Sequence, residues 1–204
     1  MHTIRGWMVA LLLVVLSVSL VAQRGGGGGR GADRPPVRTT YESSDYGFKF
    51  GVPADMDLYT PDEPGRFSRV FAERRLAYMV SPTRPEESVG IKYADGVTEA
   101  DLTSYQTTIE TNPPQAKLPG FQKIGVANIQ IGKDGAKPAV NFVYELTTPK
   151  TNLAPSVDMT LRQVVFLHKG RGFTITCEAT KKRFDKVNKD TFDKFLSKIE
   201  FRSQ

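Results

Sequence analysis

Nucleophilic chemistry has few candidates here. Beyond an apolar N-terminus, the chain offers one histidine, His168, and its single cysteine, Cys177. A thiol or hydroxyl becomes a useful nucleophile only beside a base within hydrogen-bond reach. Both residues fall in one strand–turn–strand pattern. A turn at Gly170-Arg171 would leave them roughly four to five residue rises apart along the strands, too far to touch. Cys177 therefore reads as a small buried hydrophobe, and His168 as an exposed or half-packed ring at a strand end.

Metal and phosphate chemistry find little support either. One histidine and one cysteine do not make a structural zinc set. Asp55, Asp57, Asp62 and Glu63 offer oxygen ligands but lack the spacing and glycine of an EF-hand loop, and read as a solvated acidic loop. The glycine run 25–29 precedes the folded part and follows no strand, so it is no phosphate cradle. No paired acid/base constellation is visible. The expectation is a protein without catalytic residues, metal or cofactor.

Two surface constellations are left. Lys181, Lys182, Arg183, Lys186 and Lys189 form a basic cluster, a candidate site for an acidic partner or anionic headgroups. Asp185, Asp190 and Asp193 interleave with it and dilute its field. Gln163, Thr174, Thr176 and Glu178 share one face of the proposed hairpin and are candidate groove residues, unless a helix covers them.

The elements that position these residues begin with the hairpin. Thr160 to His168 and Phe173 to Thr180 are rich in β-branched and aromatic residues. With a type II′ loop at Gly170-Arg171, Val164, Phe166, Phe173, Ile175, Cys177 and Ala179 line one apolar side. Gln163, Val165, Leu167, Thr174, Thr176 and Glu178 line the other. Asn188 then reads as a helix N-cap. Phe192, Phe195, Leu196 and Ile199 follow at i, i+3, i+4 and i+7, a single stripe that should dock on the apolar side.

This closing unit resembles the end of PsbP-like domains. The residues that carry the resemblance are Gly172-Phe173-Thr174-Ile175-Thr176-Cys177-Glu178-Ala179, then Phe184-Asp185, then the run from Thr191 to Phe201. They are similar to a "G-x-x-Y/F-T-I-T-A-x-A" strand followed by an "F-x-K-x-L-x-S-F" helix. Near the start, Gly47-Phe48-Lys49-Phe50-Gly51-Val52-Pro53 resembles the family's opening "G-F-x-F-x-x-P" strand. Ala54-Asp55-Met56 stands where a "x-G-W" segment is common. The resemblance implies an α+β fold, an antiparallel β-sheet with helices packed on its faces in a PsbP-like sandwich. It also implies an exported accessory protein that docks on a membrane-associated assembly.

The remaining elements fit one domain of about 166 residues. Phe48, Phe50 and Val52 alternate with Lys49 and Gly51, a half-buried strand ended by proline. Residues 67–71, 77–81 and 88–93 are further strand candidates. Thr98 to Asp101 resembles a capping box, opening a short helix with Leu102, Tyr105 and Ile109 on one side; it stops before Pro113-Pro114 and is the element placed to cover the groove. Residues 121–131 and 139–146 form a second hairpin that turns at Asp134-Gly135.

The N-terminus sets the compartment. Residues 1–23 read as a signal peptide, because Trp7 to Ala22 is apolar and uncharged yet shorter than the roughly 20 residues that span a bilayer. Residues 24–38 are a Gly/Arg/Pro tether with no apolar stripe, and 39–204 is the domain. Of 28 basic and 22 acidic residues, residues 1–38 hold five and one, leaving 23 and 21 on the domain. A nearly neutral domain argues against nucleic acid. The expectation is an extracytoplasmic (periplasmic or secreted) binding protein of an unidentified envelope complex, with anionic membrane contact through the tether. Alternatives are a carrier of a small apolar ligand between sheet and helix, and a carboxylate-based hydrolase.

Overall fold

The computed structural model describes residues 37–98, 102–111, 114–152 and 154–202. The expected signal peptide, most of the tether and the capping-box residues 99–101 lie outside the described residues. Among the described residues ten strands form two antiparallel sheets. The larger has seven strands in the order β3-β4-β5-β9-β8-β7-β6, and the smaller has three in the order β1-β2-β10.

The larger sheet is two meanders side by side. β3 (Asp57–Tyr59), β4 (Arg75–Val80) and β5 (Ser88–Asp95) form the first. β6 (Gln122–Ile131), β7 (Lys137–Thr147), β8 (Asp158–His168) and β9 (Arg171–Thr180) form the second. β5 and β9 join them in the middle. Helix α1 (Leu102–Thr111) therefore carries the chain from the centre of the sheet to its far edge, crossing one face. We call this the outer face.

The inner face holds the main core. Val164, Phe166, Phe173, Ile175, Cys177 and Ala179 are all buried there, as the alternation requires. The β8–β9 turn differs from the expectation. Its two loop residues are Lys169 and Gly170, with φ of 49° and 67°, and His168 opposes Arg171. Two successive positive φ values match the right-handed twist of the strands, as in a type I′ turn. The register is displaced by two residues, and an even displacement leaves every side chain on its expected face.

The closing helix seals the inner face. It runs as α2 (Phe184–Val187), a π turn (Asn188–Phe192) and α3 (Asp193–Ser197). Asn188 is thus mid-helix and does not cap it. The Asp193 N–H donates to the Asn188 carbonyl, five residues back. The wider turn brings Val187 and Phe192, five apart in sequence, onto the same buried side. Arg162, on the inner side of β8, donates to Asn141 Oδ1 at 2.6 Å and Asn188 Oδ1 at 2.8 Å, and pairs with Asp193.

The small sheet completes this layer. β2 (Phe48–Gly51) lies between β1 (Thr40–Ser43) and β10 (Glu200–Phe201). Phe48 meets Phe173 edge-on at 5.3 Å, and Phe50 meets Phe195 at 5.3 Å. His168 belongs to this core, 7% exposed, which corrects the exposed or half-packed reading. Its Nε2 lies 2.8 Å from the Gly47 carbonyl and its ring meets Phe201.

Residues 65–73 form a kinked 3₁₀ segment, Gly65–Glu73, where a strand over 67–71 was expected. Phe67 and Val70 are three apart and both buried, which suits three residues per turn. They pack with Tyr59, Tyr78 and Val80 on the outer face.

Candidate functional site

The outer face is covered in two patches. The 3₁₀ segment covers β3 and β4. At the other side α1 packs Tyr105 and Ile109 with Phe142, Tyr144 and Val165, beside a smaller cluster of Leu146, Met159 and Leu161. The Tyr105 ring lies on Gly172, where an added Cβ would sit 2.8 Å from the ring. Its hydroxyl is 2.9 Å from Thr174 Oγ1.

Between the patches runs a polar lane, and it contains all four candidate groove residues. Gln163 directly opposes Thr176, with Thr174 and Glu178 two residues to either side on the same face. Gln163 and Thr174, nearest α1, are buried, so that side of the proposed groove is covered, whereas Thr176 and Glu178 are half-buried. β5 and β4 add Ser88, Gly90, Lys92 and Arg75, which hairpin reasoning missed. The alternation of Ser88, Gly90 and Lys92 with Val89, Ile91 and Tyr93 is the signal that could have found them, once β5 is known to pair with β9.

The lane is electrostatically mixed. Ser88 Oγ donates to Glu178 at 3.1 Å. Burial pushes the Glu178 carboxyl above its usual range, opposed by Arg75, Ser88 and Lys92. The Arg75 guanidinium lies 5.2 Å above the Tyr78 ring and across Gly90, where an added Cβ would be 2.8 Å from its Nη1. Tyr78 is pushed up to about 12, chiefly by burial.

The basic cluster is largely paired within the chain. Lys181 reaches Glu145 at 2.6 Å, Arg183 reaches the buried Glu87 at 2.5 Å, and Lys186 reaches Asp190 at 2.6 Å. Glu87 also holds Arg84 at 2.9 Å, so this network ties the 81–87 loop to the closing helix. Lys182 and Lys189 are exposed. The acidic loop is dispersed: Asp55 faces Arg84 at 3.4 Å, and Glu63 faces Arg38 at 2.7 Å.

Cys177 and His168 do not meet. Cys177 opposes Arg162, six residues along β8 from His168, about 20 Å at strand rise. The Cys177 thiol is fully buried and pushed up to about 12 by that burial.

A further feature was not legible from the sequence. Among the described residues β6 is an unpaired edge of the large sheet, ten residues long. Ile124 and Val126, on that strand, are 51% and 52% exposed. Ile124 sits in a bulge, where the register shifts between Lys123 and Gly125.

This arrangement of two antiparallel sheets with a closing helix and an outer crossover helix is the PsbP-like fold. The solution structure of cyanobacterial PsbP (CyanoP) from Synechocystis sp. PCC 6803 matches with a TM-score of 0.52 and 16% identity, over 87% of this chain and 98% of that one. A protein from Bacteroides thetaiotaomicron VPI-5482 matches with a TM-score of 0.52 and 10% identity, over 81% of this chain. The match spans about half of that second protein, 49% of its length. At such identities the likeness is one of fold. No family model and no curated protein matches the chain.

Proposed function

We propose that the protein is an exported, non-enzymatic accessory protein of the cell envelope that docks on a membrane-associated assembly. The observation that carries the docking is the β6 edge. A free edge strand presents unpaired N–H and C=O groups, a template for another strand. Here it is long, and two large apolar side chains on it face solvent. The opposite edge, β3, has only three residues.

Three features support the rest of the reading. Trp7 to Ala22 has the length and composition of an export signal. The two nucleophile candidates are packed into the core and far apart. Four arginines between 24 and 38 supply a cationic arm for first contact with an anionic surface, screened over about 8 Å at physiological salt. Lys182 and Lys189, exposed like Lys181 and Lys186, are members of the basic cluster that could extend that contact.

The test is fractionation of native envelopes carrying the Ile124→Lys/Val126→Lys double variant. Both positions are exposed, so the domain should fold and be exported as before. The variant should be released from the envelope while the unaltered protein is retained. Equal retention of both would contradict docking through β6.

A further inference from the structure

The charges around the β6 edge narrow what can dock there. Within Gln122–Ile131 the sole charged residue is Lys123, and it pairs with Glu110 on α1. From Ile124 to Ile131 the edge is uncharged, without the lysine or proline that commonly blocks an exposed edge strand. Val126, Ala127, Asn128 and Gln130 are exposed along it.

Its two ends are basic. Lys117 closes the short 3₁₀ turn Pro114–Lys117 just before the strand and is exposed. Lys133 lies exposed in the turn that follows β6, and Lys137, half-buried, opposes Ile131. Among the described residues none of these three lysines has a carboxylate within ion-pair distance. Glu110 is engaged by Lys123, and Glu145 by Gln122 and Lys181. Asp134, exposed at the tip of the turn, is outnumbered by Lys133 and Lys137.

We infer that β6 accepts an extended peptide segment, apolar at alternate positions and acidic at both ends, as an added strand of the large sheet. The inference rests on the docking role proposed for β6 and names the chemistry of the partner. Backbone pairing supplies affinity and requires an extended segment. Val126 opposes Phe142 and shares its face, so an apolar residue opposite Val126 would cover it. Asp or Glu at the ends of the segment would meet Lys117 at one end and Lys133 and Lys137 at the other. A second copy of this chain suits the edge less well. Antiparallel self-pairing would set Lys123 of each copy against the Ile131 end of the other, beside Lys133 and Lys137. Like charges would then adjoin at both ends.

Fluorescence anisotropy of a labelled peptide with the mature protein tests this. The probe alternates valine and threonine and carries paired glutamates at each end. One control peptide has paired lysines there instead. A second keeps the glutamates but has proline at its centre, which removes a backbone donor and breaks the strand. This second control reads any attraction of glutamates to the arginines of the tether. The probe should bind about tenfold or more tightly than either control. Lys117→Glu/Lys133→Glu, at two exposed positions, should reverse the preference between glutamate and lysine ends. The inference fails if either control binds as well as the probe, if no peptide binds, or if the charge-reversed variant keeps the original preference. It also fails if the protein sediments as a dimer that Ile124→Lys/Val126→Lys converts to monomer, since a second copy would then hold the edge. Envelope retention of that double variant reads docking at β6 whatever the peptides do. An edge required for retention that rejects the probe would overturn the acidic partner alone, and equal retention would overturn the docking.

Discussion

The two faces of the seven-stranded sheet are built from the same strands and do different work. The inner face is continuous. Its rings from Phe48, Phe50, Phe166, Phe173, Phe192 and Phe195 join one cluster with the closing helix and the small sheet. The outer face is interrupted. Separate apolar patches leave a lane of Thr, Ser, Gln, Glu, Arg and Lys between them, and leave β6 uncovered at its rim. Burial of apolar area contributes most to stability, so the inner face holds the fold. The outer face can carry polar groups and an exposed edge without unfolding the protein, which makes it the face suited to recognition.

Substitutions should separate the faces by size of effect. Phe195→Ala truncates a ring that is 4% exposed and packed on Phe50. It should cost about 3–5 kcal/mol in urea unfolding, the range for a buried phenylalanine. Less than about 1 kcal/mol would mean that the closing helix contributes little to the core.

Arg162→Leu removes the hydrogen bonds that join β8 and β7 to the π turn. Part of its partner set is solvent-exposed, so the expected loss is smaller, about 1–3 kcal/mol by the same measurement. An unchanged midpoint would show that the helix docks through its apolar side alone.

His168 gives a pH effect. Burial chiefly, with Lys137 and Lys169 nearby, holds the imidazole below its ordinary value, against the Gly47 carbonyl that favours the charged form. A depressed pKa means that folding favours the neutral ring. Stability is therefore complete above the unfolded value near 6.5 and is lost as pH falls through the lower folded value. The urea midpoint should drop between neutral pH and about pH 5, above the range where ordinary carboxylates titrate. His168→Gln should flatten that drop; an equal drop in the variant would assign it elsewhere.

The smallest effect is expected on the outer face. Tyr144 Oη is buried without a hydrogen-bond partner, so Tyr144→Phe should change stability by less than about 0.5 kcal/mol or raise it. A loss above about 1 kcal/mol would reveal a bonded hydroxyl.

Face assignment was legible because it needs only alternation. Val164, Phe166, Phe173, Ile175 and Cys177 sort correctly even though the β8–β9 turn is Lys169-Gly170. Local conformation at Asn188 was not legible: a good N-cap residue in isolation, it is held mid-helix by Arg162 from another strand. Residues 67–71, within the 3₁₀ segment, were read as a strand because aromatic and β-branched residues dominated the reading over its period of three. Half of the polar lane was visible as Gln163, Thr174, Thr176 and Glu178. The other half comes from β5, whose residues lie 76 to 90 positions away in sequence from their β9 partners. The β6 edge depends on strand order across the whole sheet, which no single segment encodes.

Hydrogen–deuterium exchange of the mature protein, alone and with native envelope membranes, tests the division of labour most directly. Docking through the rim of the outer face predicts new protection of the backbone amides of Gln122–Ile131, with the inner strands and closing helix unchanged. Protection confined to residues 181–189, or spread evenly over the domain, would contradict it.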